Sequence, residues 1–266
     1  MKTPHNLKTT VSILLIFLTC LFALNRIMPR VIINDSVPSQ EFSMSRALDH
    51  LKIISEKPHF VSSPTHEEVR EYLVSELEKL GLKVEIQETQ VLGQKNRTGT
   101  KVRNILTRIK GSEPGKALML LSHYDSEVST SFGASDAGSG VVTILESVRA
   151  FLAKGIQPKN DIIVLISDAE ELGLLGAQGF VDKHPWSKDV GLVLNFEARG
   201  SGGPVLMFVE TNHGNQNLIR AFARANTSRP FSNSLFYSIY KMLPNDTDLT
   251  IFRKNADVPG YNFAFI

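Results

Sequence analysis

Between Lys116 and Gly200 the chain alternates short apolar runs with stretches of helical period. "KALMLLSHYD", "DIIVLIS" and "VGLVLNFEARG" are brief and rich in Leu, Ile and Val, which reads as buried strands. "GSGVVTILESVRAFLAKG" and "LLGAQGFVDKH" lie between them and repeat their apolar positions as helices do. Strands without polar alternation need cover on both faces, so the pattern predicts an α/β domain with helices on each side of its sheet. Upstream, "LKVEIQETQVL" does alternate, and "VRNILTRIKG" reads as its antiparallel neighbour. The expected fold class is therefore α/β: three layers, α/β/α, around a central mixed, largely parallel sheet.

Two helices are expected before those strands. "SRALDHLKII" is amphipathic. "THEEVREYLVSELEKLG" carries Val69, Leu73, Leu77 and Leu80 on one face, Gly81 as its stop, and Thr65 with Glu68 as a capping box. Ahead of them, "VSILLIFLTCLFAL" (Val11 to Leu24) is apolar all round and free of charge, with Lys2 and Lys8 before it and Arg26 and Arg30 after it. No small-x-small cleavage site follows, and "IMPRVII" extends the apolar stretch to the interface, so an uncleaved transmembrane anchor is expected rather than a removed signal. Basic residues on both sides leave the orientation open. The resulting division is a basic tail at 1–10, an anchor at 11–33, a linker at 34–40 and one catalytic-sized domain at 41–266.

Composition narrows the function classes. The 266 residues are 42% hydrophobic and 21% charged, ordinary for a globular chain with a sizeable core. Net charge is +2 with basic residues scattered, so no nucleic-acid footprint is present. The single cysteine, Cys20, lies in the anchor, which excludes a disulfide framework or a Cys-ligated metal. The sequons "NDS", "NRT", "NTS" and "NDT" carry information only in a eukaryotic secretory setting.

Polar residues collect where the central strands stop. "ALMLLSHYD" ends in His123 and Asp125, "DIIVLIS" runs into Asp168, Glu170 and Glu171, and "GLVLNFEARG" ends in Glu197. Open α/β sheets build their sites beyond the carboxyl ends of strands. A ligating imidazole usually gives its second N–H to a carboxylate, a task that suits Asp125; the plainer alternative is that Asp125 caps a loop. In "FGASDAGSGV" the glycine spacing is no dinucleotide fingerprint and the Walker lysine is missing, so a tight turn aiming Asp136 into the crevice is the better reading. Taken alone, Asp136 is an N-cap candidate and the Glu170–Glu171 pair a solvated acidic turn. Together they form a carboxylate cluster that divalent cations would offset, with one glutamate free to accept a proton from a water acidified by the metal.

The four blocks "LLSHYDS", "GASDAGSGV", "ISDAEELGLLGAQGF" and "NFEARGSGGP", in that order, resemble the co-catalytic dizinc exopeptidases. That family includes aminopeptidase Y and glutamate carboxypeptidase. The likeness is greatest to its membrane-bound branch of vacuolar and endoplasmic-reticulum metallopeptidases, and it runs from about residue 45, through "KPHFVSSPTHEEVREYLVSELEKLGLKVEIQE", to the end. The resemblance implies a zinc-exopeptidase-like fold and two Zn²⁺ ions. It implies that His123 binds the first ion, Asp136 bridges both, Glu170 is the general base and Glu171 binds the second. Glu197 takes the place of an aspartate ligand of the first ion. The last family ligand, a histidine soon after a strand resembling "VPGYNFAFI", is not reached before Ile266, so the expectation is either a fragment of a longer protein, which the abrupt end on an apolar strand favours, or a version whose second zinc site is incomplete. His184 and His213 match no ligand block and read as surface residues. "NDTDLTIFRK" resembles a segment near the family's active site, where Asp246 and Asp248 would shape the pocket; a helix capped within Asn245 to Thr247 explains the same residues.

The resemblance thus implies a membrane-anchored zinc metallopeptidase acting on peptides, an aminopeptidase whose domain lies outside the cytosol. Two rivals keep the fold: a glutaminyl-cyclase-like enzyme with one zinc, and a non-catalytic ectodomain. The intact glutamate pair counts against the second rival and the missing histidine for it.

Overall fold

The computed structural model describes residues 5–28, 33–34, 36–93, 98–128, 131–225, 232–242 and 246–265. Helix α1 (His5–Ile27) contains a 20-residue apolar span, Leu7–Arg26, with mean hydropathy 2.2 and none of it buried. It is long enough to cross a bilayer. Parts of the expected anchor and linker, residues 29–32 and 35, lie outside the described residues, as do the sequon asparagines Asn96, Asn226 and Asn245.

The domain opens with α2 (Met44–Ile54), whose N-cap Ser43 accepts a hydrogen bond from the Arg46 N–H. Helix α3 (Pro64–Lys79) starts earlier than the capping-box reading expected. Ser63, not Thr65, is the cap; its hydroxyl accepts from the His66 N–H, and Pro64 takes the first helical position, where no N–H is needed. Val69, Leu73 and Leu77 are buried as the spacing predicted, and Gly81 leaves the helix at φ 79°.

Seven strands follow: β1 (Val84–Leu92), β2 (Gly99–Ile109), β3 (Ala117–His123), β4 (Ile162–Ser167), β5 (Val190–Ala198), β6 (Val205–Glu210) and β7 (Gly260–Phe265). They form one sheet in the order β1-β2-β4-β3-β5-β7-β6. The four central strands β4-β3-β5-β7 are parallel, and antiparallel pairs flank them at both edges. The expected α/β class, mixed sheet and β1–β2 pairing are all present.

Both faces are covered, which explains the unbroken apolar strands. On one face Leu120, Val164 and Ile166 meet α2, α3 and α4 (Ser139–Leu152) through Ile54, Leu73, Leu77, Val141 and Leu145. On the other, Met119, Leu121, Ile163 and Leu165 meet α5 (Leu175–Lys183) and α8 (Asp248–Ala256) through Ala177, Phe180, Leu249 and Phe252. Helices α6 (Gln216–Arg224) and α7 (Ser234–Met242) extend the two layers over β6 and β7. Leu218 and Phe222 pack on Met207 and Val209, while Tyr237 and Tyr240 pack on Leu206 and Phe208.

At the rim opposite the strand C-termini, Asp161 closes the sheet edge. Its carboxylate accepts from the Gly111 N–H at 2.8 Å, Lys110 Nζ at 2.9 Å and Arg108 Nε at 2.6 Å. Burial alone would raise its pKa, but these donors outweigh burial and pull it down to about 2. A folded-state value below the unfolded one stabilises the protein above the unfolded pKa, and that gain disappears as pH falls through about 2. Asp161→Asn is therefore expected to cost roughly 2 kcal/mol at neutral pH. Thermal denaturation of both proteins from pH 7 downward checks this: the gap in Tm should close in acid, and a gap independent of pH would contradict it.

Candidate active site

Because β4, β3 and β5 are adjacent and parallel, their C-terminal ends share one rim. His123 is the last residue of β3 and pairs with Ser167, the last of β4, while Glu197 is next to last in β5. The His123 ring is buried. Its Nδ1 lies 3.0 Å from the backbone carbonyl of Asp125. A carbonyl can only accept, so that bond puts a proton on Nδ1 and turns Nε2 towards the crevice. Nε2 is 3.1 Å from Asp136 Oδ1 and 3.9 Å from Glu197 Oε1.

Asp136 reaches that position from a wide turn, Ala134–Gly138, whose backbone leaves helical angles at Asp136 and Ala137. The turn delivers the side chain to the crevice and α4 begins immediately after it; Asp136 is not an N-cap. Gly140 lets the helix start close to the sheet, since a Cβ there would overlap Ser122 Oγ and the Phe196 carbonyl.

Asp125 does more than the sequence reading assigned to it. Its carboxylate is 3.5 Å from His123 Nδ1, farther than its own backbone oxygen. Instead, the two carboxylate oxygens accept from the backbone N–H groups of Glu170 at 3.0 Å and Glu171 at 3.2 Å. The imidazole is thus met by the Asp125 backbone carbonyl, while the carboxylate holds the turn at Glu170 and Glu171. Asp168, grouped with the site by sequence, turns away. It accepts from the Arg103 N–H at 2.7 Å and lies 2.9 Å from His66 Nε2, and its own N–H donates to Asn104 Oδ1. This buried network fixes the strand end from which the glutamate turn departs. At Gly176 a Cβ would overlap the Asp168 carbonyl, so only glycine lets α5 approach beneath that turn.

From α8, Asp248 accepts a hydrogen bond from Ser167 Oγ, and its other oxygen, Oδ1, is buried without a protein partner. Thr247 is the N-cap of the same helix, and Asp248 lies buried behind the cleft rather than among its lining residues. Asp246 stands on the cleft wall, 3.0 Å from Lys254 Nζ. The cleft has a volume of about 510 Å³, and Asp136, Glu170, Glu171, Glu197, Leu174 and Ile251 are among the residues that line it.

Electrostatics show how crowded the acids are. Burial is the largest influence on Glu170, Glu171, Glu197 and Asp248, raising each, and nearby carboxylates add to it while His123 opposes. Glu171 is pushed up to about 7, Glu197 to about 8 and Asp248 to about 6; Glu170 stands well above the usual carboxylate range. Burial lowers the pKa of His123, yet hydrogen bonds to Asp125 and Asp136 and the charges of Glu170 and Glu197 raise it well above its ordinary value. Several buried anions around one imidazole form the environment that a divalent cation stabilises.

Two groups of donor atoms, each within 4.8 Å of one another, could hold such a cation among the described residues: His123, Asp136 and Glu197, and His123, Glu170 and Glu171. One imidazole with carboxylates suits zinc, and the unpartnered Asp248 oxygen nearby adds to the negative field. Glu171 groups with His123 and Glu170, and Asp136 is close enough to raise its pKa. Of the remaining histidines considered, His213 is exposed and paired with Asp257 at 2.9 Å, as expected of a surface residue. His184 is buried, contrary to the sequence reading: it stacks on Phe180 and bonds Glu85 at 3.0 Å, away from the cleft.

Residues 104–266 match the sequence profile of peptidase family M28. The chain belongs to that family. It is 32% identical over 270 residues to the vacuolar membrane protease of Schizosaccharomyces japonicus, covering 96% of this chain and 30% of that one. With the vacuolar membrane protease of Candida dubliniensis it shares 33% identity over 232 residues, 81% of this chain and 23% of the relative. The chain thus spans less than a third of the length of these relatives. Among solved structures, a Zn-dependent exopeptidase from Parabacteroides distasonis superposes with a TM-score of 0.62 at 21% identity, covering 86% of each chain. A glutaminyl cyclase from Porphyromonas gingivalis gives 0.65 at 20%, covering 84% of this chain and 83% of that one. At such identities the likeness is one of fold.

Proposed function

We propose that this member of the M28 family is a membrane-anchored zinc metallopeptidase, an aminopeptidase that hydrolyses peptide bonds in the cleft described above. The observation that carries the proposal is the convergence of His123 Nε2, Asp136 and Glu197 from three separate segments on one point. These three would hold the first zinc. Asp136 and Glu171 would contribute to a second, and Glu170 is the general base. Bound zinc supplies Lewis-acid polarisation of the scissile carbonyl and acidifies the attacking water. Glu170, desolvated in the cleft, takes a proton from that water and gives it to the departing amine nitrogen. Asp125 holds the Glu170–Glu171 backbone in place and its carbonyl fixes the His123 tautomer. The acidic cleft lining attracts the α-ammonium group of a peptide, which supports action at N-termini. Helix α1 is the membrane anchor, in keeping with relatives named vacuolar membrane protease, and the domain stands on the non-cytosolic side.

Metal removal tests the proposal. Purified chain should contain zinc, lose aminoacyl-peptide hydrolysis on chelation and regain it with added zinc. A protein that holds no zinc and is untouched by chelators would overturn the reading in favour of a non-catalytic domain. Cyclisation of N-terminal glutamine without peptide hydrolysis, at one zinc per chain, would favour the cyclase reading.

A further inference from the structure

Glu146, on α4, is completely buried and makes no contact with the cleft. It sits between two arginines, 3.0 Å from Arg46 Nε and 2.5 Å from Arg149 Nε, and accepts from the Ser43 N–H at 2.8 Å. The outer nitrogens of both guanidinium groups grip the chain that leads in from α1. Arg46 donates to the carbonyls of Val37 at 3.2 Å and Glu41 at 2.9 Å; Arg149 donates to those of Ser39 at 2.7 Å and Glu41 at 3.0 Å. A carboxylate this deeply buried would be costly without both partners, so the three side chains act as a unit.

The unit also has a definite place in the fold. Helix α4 leaves the catalytic rim at Ser139 and runs back towards the opposite rim, where residues 153–161 lead into β4. Glu146 and Arg149 lie seven and ten residues along it, roughly 10 and 15 Å from the start. Helix α2 runs the other way: it begins beside the clamp at Ser43 and ends near the catalytic rim, where Leu51 and Ile54 would touch a Cβ on Gly138. The connector therefore joins the domain on the side away from the cleft.

We propose that the Arg46–Glu146–Arg149 clamp fixes the domain on its anchor so that the rim opposite the cleft faces the lipid surface and the cleft opens to bulk water. The proposal rests on α1 being the membrane anchor. With residues 37–43 held, only nine residues, 28–36, join the helix to the domain, and nine residues span at most about 30 Å. Release of the clamp would lengthen that join to about 50 Å and free the orientation.

The test uses the full chain in phosphatidylcholine vesicles containing a headgroup-labelled acceptor lipid, on a Cys20→Ser background. A donor dye is placed either at Lys154→Cys, beyond α4, or at Val128→Cys, on the catalytic rim. Energy transfer to the acceptor lipid is expected to be at least about twofold greater from 154 than from 128. Arg149→Ala should bring the two values together. So should a ten-residue Gly/Ser insertion after Ser36, which leaves every clamp contact in place and so guards against a folding defect. Equal transfer in vesicle-bound parent protein, or a difference that survives the insertion, would overturn the proposal alone. Failure of the chain to float with vesicles would overturn the anchor reading together with it.

Discussion

Glu170→Gln is expected to lower kcat by about a hundredfold to ten-thousandfold, the usual contribution of a positioned acid–base group, with zinc content unchanged. The amide has nearly the same shape, and the backbone N–H of residue 170 still donates to Asp125. What it lacks is a site for the proton. The parent side chain is poised for that task because burial, then the carboxylates of Glu197, Asp248 and Asp125, hold its pKa well above that of a surface glutamate. A desolvated carboxylate is a stronger base than a solvated one. Single-turnover rates and metal analysis of the variant check both halves. Parent-like turnover would refute the base assignment. Loss of zinc alongside turnover would make Glu170 a ligand, the role its grouping with His123 and Glu171 leaves available.

Asp125→Ala is expected to weaken zinc binding by about 10- to 100-fold, the range seen when the outer partners of metal ligands are removed. The substitution strips the acceptors from two backbone N–H groups at once, those of Glu170 and Glu171. Each buried donor left unsatisfied costs on the order of 1–3 kcal/mol, and the turn carrying both glutamates would shift to find water. His123 keeps its 3.0 Å bond to the backbone carbonyl of residue 125, so the imidazole tautomer should survive and the loss should fall on the glutamates. Competition titration with a zinc chelator measures the effect. Unchanged affinity would mean that the turn holds itself without Asp125.

Strand periodicity made the centre of this fold legible. Three apolar runs with polar ends became three adjacent parallel strands, and the parallel register alone brings His123, Glu170 and Glu197 to the same rim. Asp136 was readable because a glycine-rich turn precedes an obvious helix. Asp168 misled because position next to a strand end does not reveal which way a side chain turns; His66 and Arg103, distant in sequence, decide it. Ser63 was overlooked as a cap because the Thr65–Glu68 spacing fits a capping box, and Pro64 was the signal that the helix starts two residues earlier. His184 looked like a surface residue for want of any local sign that Phe180 and Glu85 would enclose it. The region of β6, α6 and α7 offered short elements of six and nine residues, too brief for periodicity to distinguish. The Arg46–Glu146–Arg149 clamp joins positions about a hundred residues apart and leaves no pattern in the sequence.

The central claim is that one imidazole and carboxylates from a strand end and a turn share a zinc ion. Anomalous diffraction collected on either side of the zinc absorption edge tests it most directly. A peak about 2.0–2.2 Å from His123 Nε2 and from carboxylate oxygens of Asp136 and Glu197 is the predicted result. Zinc found only at other groups, such as His213 with Asp257, or no peak in crystals grown with excess zinc, would contradict the account.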